Sequence, residues 1–167
     1  MTIVYTVFDS DLGTVFTAET RQGVIFTTVG KDGLNSLTKY AEKWFPGQNI
    51  VPSVVDSVIQ LKEYFEGQRE TFDLPLSPQG TEFQTHVWMA IKDIPYGETR
   101  TYKQIAEAVG SPNAYQAVGQ ACGANPIPII IPCHRVLNES GALGGFGLGL
   151  DVKKWLLRHE GHQNLSN

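Results

Sequence analysis

Histidine, methionine and cysteine are scarce in these 167 residues: four His, two Met and two Cys. His86, His134, His159 and His162 are not spaced with Cys122 and Cys133 as the ligands of a zinc site are, so no structural metal is expected. A charged-then-apolar leader is missing, and no apolar run approaches about 18 residues, so neither a signal peptide nor a membrane span is expected. Two cysteines without a secretory signal are expected as free thiols in a reducing cytoplasm. No internal repeat appears, which excludes solenoids and arrays. Neither sign of charge dominates. The net charge is −4, but residues 1–86 hold six Lys/Arg against eleven Asp/Glu, whereas residues 87–167 hold seven against six. The acidity lies in the first half, and the second half remains compatible with a phosphate backbone.

What the chain does have is patterned. Residues 2–8, 14–20 and 24–30 are rich in Val, Ile, Phe, Tyr and Thr, with short polar, Gly-containing breaks between them, which predicts a three-stranded antiparallel meander. Leu34, Leu37, Tyr40, Ala41, Trp44 and Phe45 recur at helical spacing up to Pro46-Gly47. A second helix is predicted from about Val54 to Phe65, with a stripe of Val55, Val58, Ile59, Leu61 and Phe65. These aromatic and aliphatic stripes read as core, not as chemistry. The Pro- and Gly-bearing segment 74–80 reads as a linker, giving domains 1–78 and 79–167.

The second half is helical in pattern. A helix opens at Thr81-Glu82-Phe83-Gln84 and ends at Pro95-Tyr96-Gly97. Thr101 with Gln104 forms a capping-box pattern before a helix Tyr102–Val109, and Gly110-Ser111-Pro112 turns the chain into a third, from about Asn113 to Cys122. Two short helices around a Gly-containing turn make a helix-turn-helix candidate, although such pairs are often packing units only. Ile129-Ile130-Ile131 then reads as a short buried strand between Pro128 and Pro132, leading into Cys133-His134-Arg135 and a glycine-rich run, 141–149. A cysteine is most often a small buried hydrophobe. At the end of a rigid strand, beside cationic neighbours that favour thiolate, it is instead a candidate nucleophile. In an extended segment His134 points away from the sulfur, so its help is expected through water or a third residue.

Thr81-x-Phe83-Gln84-x3-Trp88, Ile94-Pro95-Tyr96-Gly97, Tyr102-x2-Ile105-Ala106, Ala117-Val118-Gly119, Asn125-Pro126-Ile127, Pro132-Cys133-His134-Arg135-Val136 and Lys153-x2-Leu156-Leu157-x2-Glu160-Gly161 stand in order over residues 81–161. Together they resemble the 6-O-methylguanine-DNA methyltransferase family. The resemblance implies an α/β chain with a ribonuclease-H-like N-terminal domain and a mainly α C-terminal domain carrying the helix-turn-helix. It implies direct reversal of DNA damage: an alkyl group passes from the 6-oxygen of guanine, or the 4-oxygen of thymine, to Cys133. The partner implied is double-stranded DNA, entered through the minor groove by a monomer, with the damaged base flipped out. No metal or organic cofactor is implied. Cys133 would be the nucleophile, His134, a water and Glu160 its proton relay, Asn125 a bridge from the recognition helix, and Tyr102 a phosphate contact and proton donor. Lys103, Ser111, Ala114, Tyr115, Gln116 and Arg135 would meet DNA, while Val136, Phe146, Gly147 and Leu148 would line the pocket.

Three positions depart from the family pattern. Gln116 stands where an arginine usually fills the space of the flipped base, which removes a charge and a planar fork. Phe146 replaces a usual Tyr but still offers a face for stacking. Leu148 replaces a usual Gly and is expected to narrow the pocket mouth against large adducts. Two other readings stay open on the sequence: a lesion-binding protein without transfer on the same scaffold, and a Cys-His hydrolase or thiol-sensing helix-turn-helix regulator. Cys133 argues against the first, and the lack of a dimerisation helix argues against a regulator that reads paired half-sites.

Overall fold

Period-two alternation of β-branched and aromatic residues builds the first sheet in the computed structural model, which describes residues 1–165. β1 (Thr2–Ser10), β2 (Gly13–Thr20) and β3 (Gly23–Val29) form the antiparallel meander. A fourth strand, β4 (Asn49–Pro52), which the sequence reading did not anticipate, pairs parallel to β1 and gives the order β3-β2-β1-β4. Its alternation is too short and too exposed to stand out. α1 (Gly33–Trp44) buries Leu37 and Ala41 on this sheet, with Ile3, Ile25 and Phe26. Gly33 is required there, because a Cβ would lie 2.0 Å from the Phe16 ring. α2 (Asp56–Phe65) begins two residues later than expected, and Glu19 closes its N-terminus by accepting from Ser57 N and Oγ at 3.0 and 2.9 Å. Leu34 and Ile59, both placed in core stripes by periodicity, are 43% and 57% exposed, so each stripe is narrower than the sequence suggests.

The chain divides into two compact units, the first ending at Gln79 and the second beginning at Gly80. In the second, α3 (Glu82–Lys92) is opened by a complete capping box between Thr81 and Gln84 and buries Val87, Trp88 and Ile91. The Trp88 indole N–H donates to Ala121 O at 2.8 Å, which ties α3 to the helix that carries the motif Ala117-Val118-Gly119. After the two-residue strand β5 (Arg100–Thr101), a second capping box, Thr101 with Gln104, opens α4 (Tyr102–Ala108). Gly110, at φ 78°, and Ser111, whose N–H donates to Ala106 O, turn the chain into α5 (Tyr115–Gly123). The helix-turn-helix is therefore present, with the second helix starting two residues later than expected.

One expectation is corrected. Residues 127–132 form no strand. Ile131 N donates back to Ile127 O at 2.9 Å, and the segment is a buried tight turn with a lone bridge between Pro128 and Ile131. Ile129 sits at φ 76°, a conformation a β-branched residue rarely adopts, and is held there with no exposure. Pro128 and Pro132 lack the N–H groups a sheet ladder needs, so burial of the isoleucines is satisfied by a turn instead. The chain continues as a 3-10 turn, Cys133–Arg135, then β6 (Val136–Leu137), parallel to β5, the glycine-rich loop and α6 (Leu150–His159).

Candidate active site

Cys133 is 1% exposed, at the start of the 3-10 turn. Three residues per turn separate successive side chains by about 120°. Cys133 therefore faces α5 while His134 faces α6; the two diverge as expected, but because of the turn and not of an extended strand. Asn125, just after α5, reaches back with its amide N–H to Ile131 O at 2.9 Å and to Cys133 Sγ at 3.1 Å, and its carbonyl accepts from Ile127 N at 2.9 Å. One side chain thus holds both ends of the buried turn and touches the sulfur. Burial pushes the Cys133 thiol well up; the neighbouring Cys122 adds to this, while Asn125 and Lys153 oppose it without prevailing. The resting group is a thiol, contrary to the thiolate expected from adjacent cations, because His134 and Arg135 turn away from it.

His134 Nε2 lies 2.8 Å from Glu160 Oε2. Arg135 Nε and Nη2 donate to the two Glu160 oxygens at 2.7 and 3.0 Å, and its Nη1 donates to Ile94 O at 2.7 Å. Arg135 is 5% exposed. The expectation that it contacts DNA is overturned: its planar fork is used up on Glu160 and a backbone carbonyl. Burial alone would raise the Glu160 carboxyl, but hydrogen bonds from His134 and Arg135 and the guanidinium charge outweigh it and hold it well below the usual carboxylate range. Burial likewise lowers His134, against the hydrogen bond to Glu160, so the imidazole is neutral. A carboxylate only accepts, which assigns the imidazole proton to Nε2 and leaves the lone pair on Nδ1. Nδ1 is buried and has no partner among the described residues. The group next to the cysteine in sequence is therefore a base with its acceptor free.

A cavity of about 860 Å³ adjoins this chain of groups. Its walls are Tyr102 and Lys103 of α4, Tyr115, Gln116, Gly119, Gln120 and Gly123 of α5, and Asn138, Glu139, Gly145, Phe146 and Gly147 beyond the cysteine. The volume is that of a small-molecule site. Cys133 is not part of the lining but lies close to it. The Phe146 ring stands edge-on to His134 at 6.4 Å, and burial raises the Tyr102 hydroxyl, to which the charges of ionised Cys122 and Cys133 would add. Tyr102 is thus held as a neutral O–H donor, making one long bond, 3.4 Å, to Gly145 O. A Cβ at 147 would press on Gly123 O at 3.2 Å, closer than an ordinary contact.

The structure brings Cys133, His134, Glu160, Asn125 and Tyr102 together, and sets Tyr115, Gln116 and Lys103 at the cavity. Ser111 and Ala114 sit in the turn, joined by Ala114 N to Ser111 O at 2.9 Å. Val136 is fully buried and Leu148 is half-buried, and neither lines the cavity, so the expected narrowing by Leu148 is not seen. Sequence reasoning missed Gln120, Asn138 and Glu139 on the walls and gave Lys153 no role, although Lys153 stood in a quoted motif. Among the described residues no cluster of side chains could hold a metal, and no helix is long and apolar enough to cross a membrane.

Residues 3–78 match the 6-O-methylguanine DNA methyltransferase ribonuclease-like domain, and residues 82–162 match the DNA binding domain of the same family. A methylated-DNA–protein-cysteine methyltransferase of Methanosarcina acetivorans is 41% identical over 157 residues, covering 94% of this chain and 97% of that one. The crystal structure of Mycobacterium tuberculosis O6-methylguanine methyltransferase is 38% identical with a TM-score of 0.81, covering 95% and 92%. The M. tuberculosis OGT in complex with DNA is 38% identical with a TM-score of 0.80, covering 94% and 92%. The chain belongs to the 6-O-methylguanine DNA methyltransferase family.

Proposed function

We propose that this protein repairs DNA by taking an alkyl group from the 6-oxygen of guanine onto Cys133, once per molecule. DNA is the partner; α5 enters the minor groove of a duplex as part of a monomer, and the damaged base is flipped into the cavity walled by Tyr102, Gly119 and Phe146. Unpairing costs a few kcal/mol, and least for a lesion that pairs badly. The thiol proton passes through a water to His134 Nδ1, and Glu160 stabilises the imidazolium so formed. The sulfur attacks the alkyl carbon, the carbon–oxygen bond breaks, and its electron pair stays on the guanine oxygen. Tyr102 O–H meets that developing charge. The product thioether has no labile acyl bond, so the cysteine is not regenerated.

The observation that carries this reading is the buried Cys133 next in sequence to the His134–Glu160 pair with its free Nδ1 acceptor, together with a cavity that has room for a nucleobase. A binding protein without transfer needs no such base, and a hydrolase would need one in direct reach of the sulfur. The test is incubation with an oligonucleotide bearing O6-methylguanine, followed by intact-mass measurement and adduct mapping. One methyl on Cys133 per protein is expected; tight binding without a mass change, or multiple turnover, would overturn the reading.

A further inference from the structure

Among the described residues that wall the cavity, Lys103 and Glu139 are the only charged ones, and they pair with each other: Lys103 Nζ lies 3.6 Å from Glu139 Oε1. The pair joins two elements. Lys103 is the second residue of α4, whose backbone is fixed by the capping box of Thr101 with Gln104. Glu139 sits in a turn after β6, closed by Gly141 N donating to Asn138 O and Asn138 N donating to Ala142 O, both at 2.9 Å. Both backbones are therefore held, and only the two side chains need move for the pair to open. Those side chains are 53% and 66% exposed, which puts them at the rim of the cavity and not at its floor. Gln116 and Gln120 of α5 bring no charge to the wall. With Lys103 neutralised by Glu139, the walls of the cavity carry no net charge.

We propose that the Lys103–Glu139 ion pair is a latch across the cavity mouth, which makes the site select guanine carried on DNA over the free nucleobase. Entry of a base between α4 and the turn after β6 separates the two side chains. When the base arrives on a duplex, a backbone phosphate replaces the Glu139 carboxylate as the partner of Lys103, so the ligand itself offsets the cost of opening. A free base is uncharged and brings no phosphate, so it opens the pair without compensation. The two ligands differ in their affinity for the open state, which is what a selective device requires. An exposed pair is weak and screened by salt, so the discrimination is expected to be about two- to fivefold at low ionic strength and to shrink as salt is added. The two substrates then respond to salt with opposite signs. Reaction with the free base speeds up as salt loosens the latch, whereas duplex binding weakens as counterion release declines.

This inference rests on the proposed transfer from a flipped guanine to Cys133, and its test has one arm without DNA. Wild type, Glu139→Gln, Lys103→Gln and the double variant are compared with subsaturating free O6-benzylguanine in 50 mM and about 1 M NaCl, and with a duplex bearing O6-methylguanine in 50 mM NaCl. Alkylation of Cys133 is followed by peptide mass, duplex affinity is measured alongside, and thermal melts establish that each variant is folded. With the free base in 50 mM NaCl, each single variant is expected to react about two- to fivefold faster than wild type. The double variant should be no faster than either, because one pair is opened once. The wild-type rate should rise toward theirs in about 1 M NaCl. With the duplex, Glu139→Gln should bind more tightly than wild type and Lys103→Gln more weakly. A mouth that is merely widened would make Lys103→Gln better with both substrates. Equal free-base rates in 50 mM NaCl, gains that add in the double variant, or a wild-type rate that does not rise with salt overturns the proposal. Transfer from the duplex with none of these differences removes the latch and leaves the repair reading intact. The expected free-base pattern without transfer from the duplex would overturn the repair reading and leave the pair as the gate of a nucleobase site. No alkylation of wild-type Cys133 by either substrate would overturn both.

Discussion

Replacing Glu160 with Gln probes the centre of the site with the smallest change of shape. The carboxylate accepts from His134 Nε2 at 2.8 Å and from Arg135 Nε and Nη2 at 2.7 and 3.0 Å. Gln keeps one carbonyl oxygen; its amide nitrogen turns N–H groups toward donors and leaves the buried guanidinium without a counter-charge. Removing one partner of a buried ion pair costs about 3–5 kcal/mol. For a chain of this length that corresponds to a fall in melting temperature of roughly 6–20 °C. The sign of the pH dependence follows from the depressed folded-state carboxyl. Its stabilisation is present above the unfolded value of about 4.3 and is lost as pH falls below it, because the unfolded chain then binds the proton first. Melts of the two proteins should differ by a constant amount from pH 5 to 8 and converge at more acid pH. Transfer at pH 7 should fall by about 10²–10⁴-fold, the usual worth of a base, since His134 loses the group that fixes its tautomer and balances its charge. Melting curves within 1 °C of each other at pH 7, or a gap that widens in acid, would refute the assignment of Glu160 as the buried carboxylate of this network.

Gln116→Arg restores a charge at the exposed start of α5 and is expected to tighten duplex binding and steepen its salt dependence by about one counterion, read as the slope of log affinity against log salt; an unchanged slope counts against Gln116 as a DNA contact. Asn125→Ala leaves Ile131 O and Ile127 N without their partner and removes the N–H at the sulfur, so a stability loss of about 1–3 kcal/mol in denaturant melts should accompany slower transfer. Slower transfer with unchanged stability would show that Asn125 does not hold the turn. Leu148→Gly should leave the ratio of benzylguanine to methylguanine repair rates unchanged, because Leu148 lies outside the cavity walls; a ratio that rises would put the side chain back at the mouth.

The capping box of Thr101 with Gln104, the helix start at Thr81, the glycine turn before α5 and the meander could be read from the sequence, because each is decided by contacts within a few residues: a Thr and a Gln three apart, a positive φ at Gly110, alternation along a strand. The ordered motifs over residues 81–161 likewise carried the family and its nucleophile. β4 was missed because its pairing with β1 joins residues some 47 apart, and nothing local announces it. The run before Cys133 misled for the opposite reason. Ile-rich sequence reports burial faithfully, yet burial alone does not distinguish a strand from a turn when prolines deny the ladder.

The same division holds at the site. The sequence supplied a thiol, an imidazole and a carboxylate at Cys133, His134 and Glu160, and only the family resemblance grouped them as one relay. Only the tertiary structure decided their states. Burial holds Cys133 as a thiol and His134 neutral, Arg135 is drawn inward onto Glu160, and three carbonyls converge on Lys153. Protonation and hydrogen-bond partners depend on what surrounds an atom in space, and residues 94, 135 and 160, like 136, 143 and 153, come together only when the chain has folded.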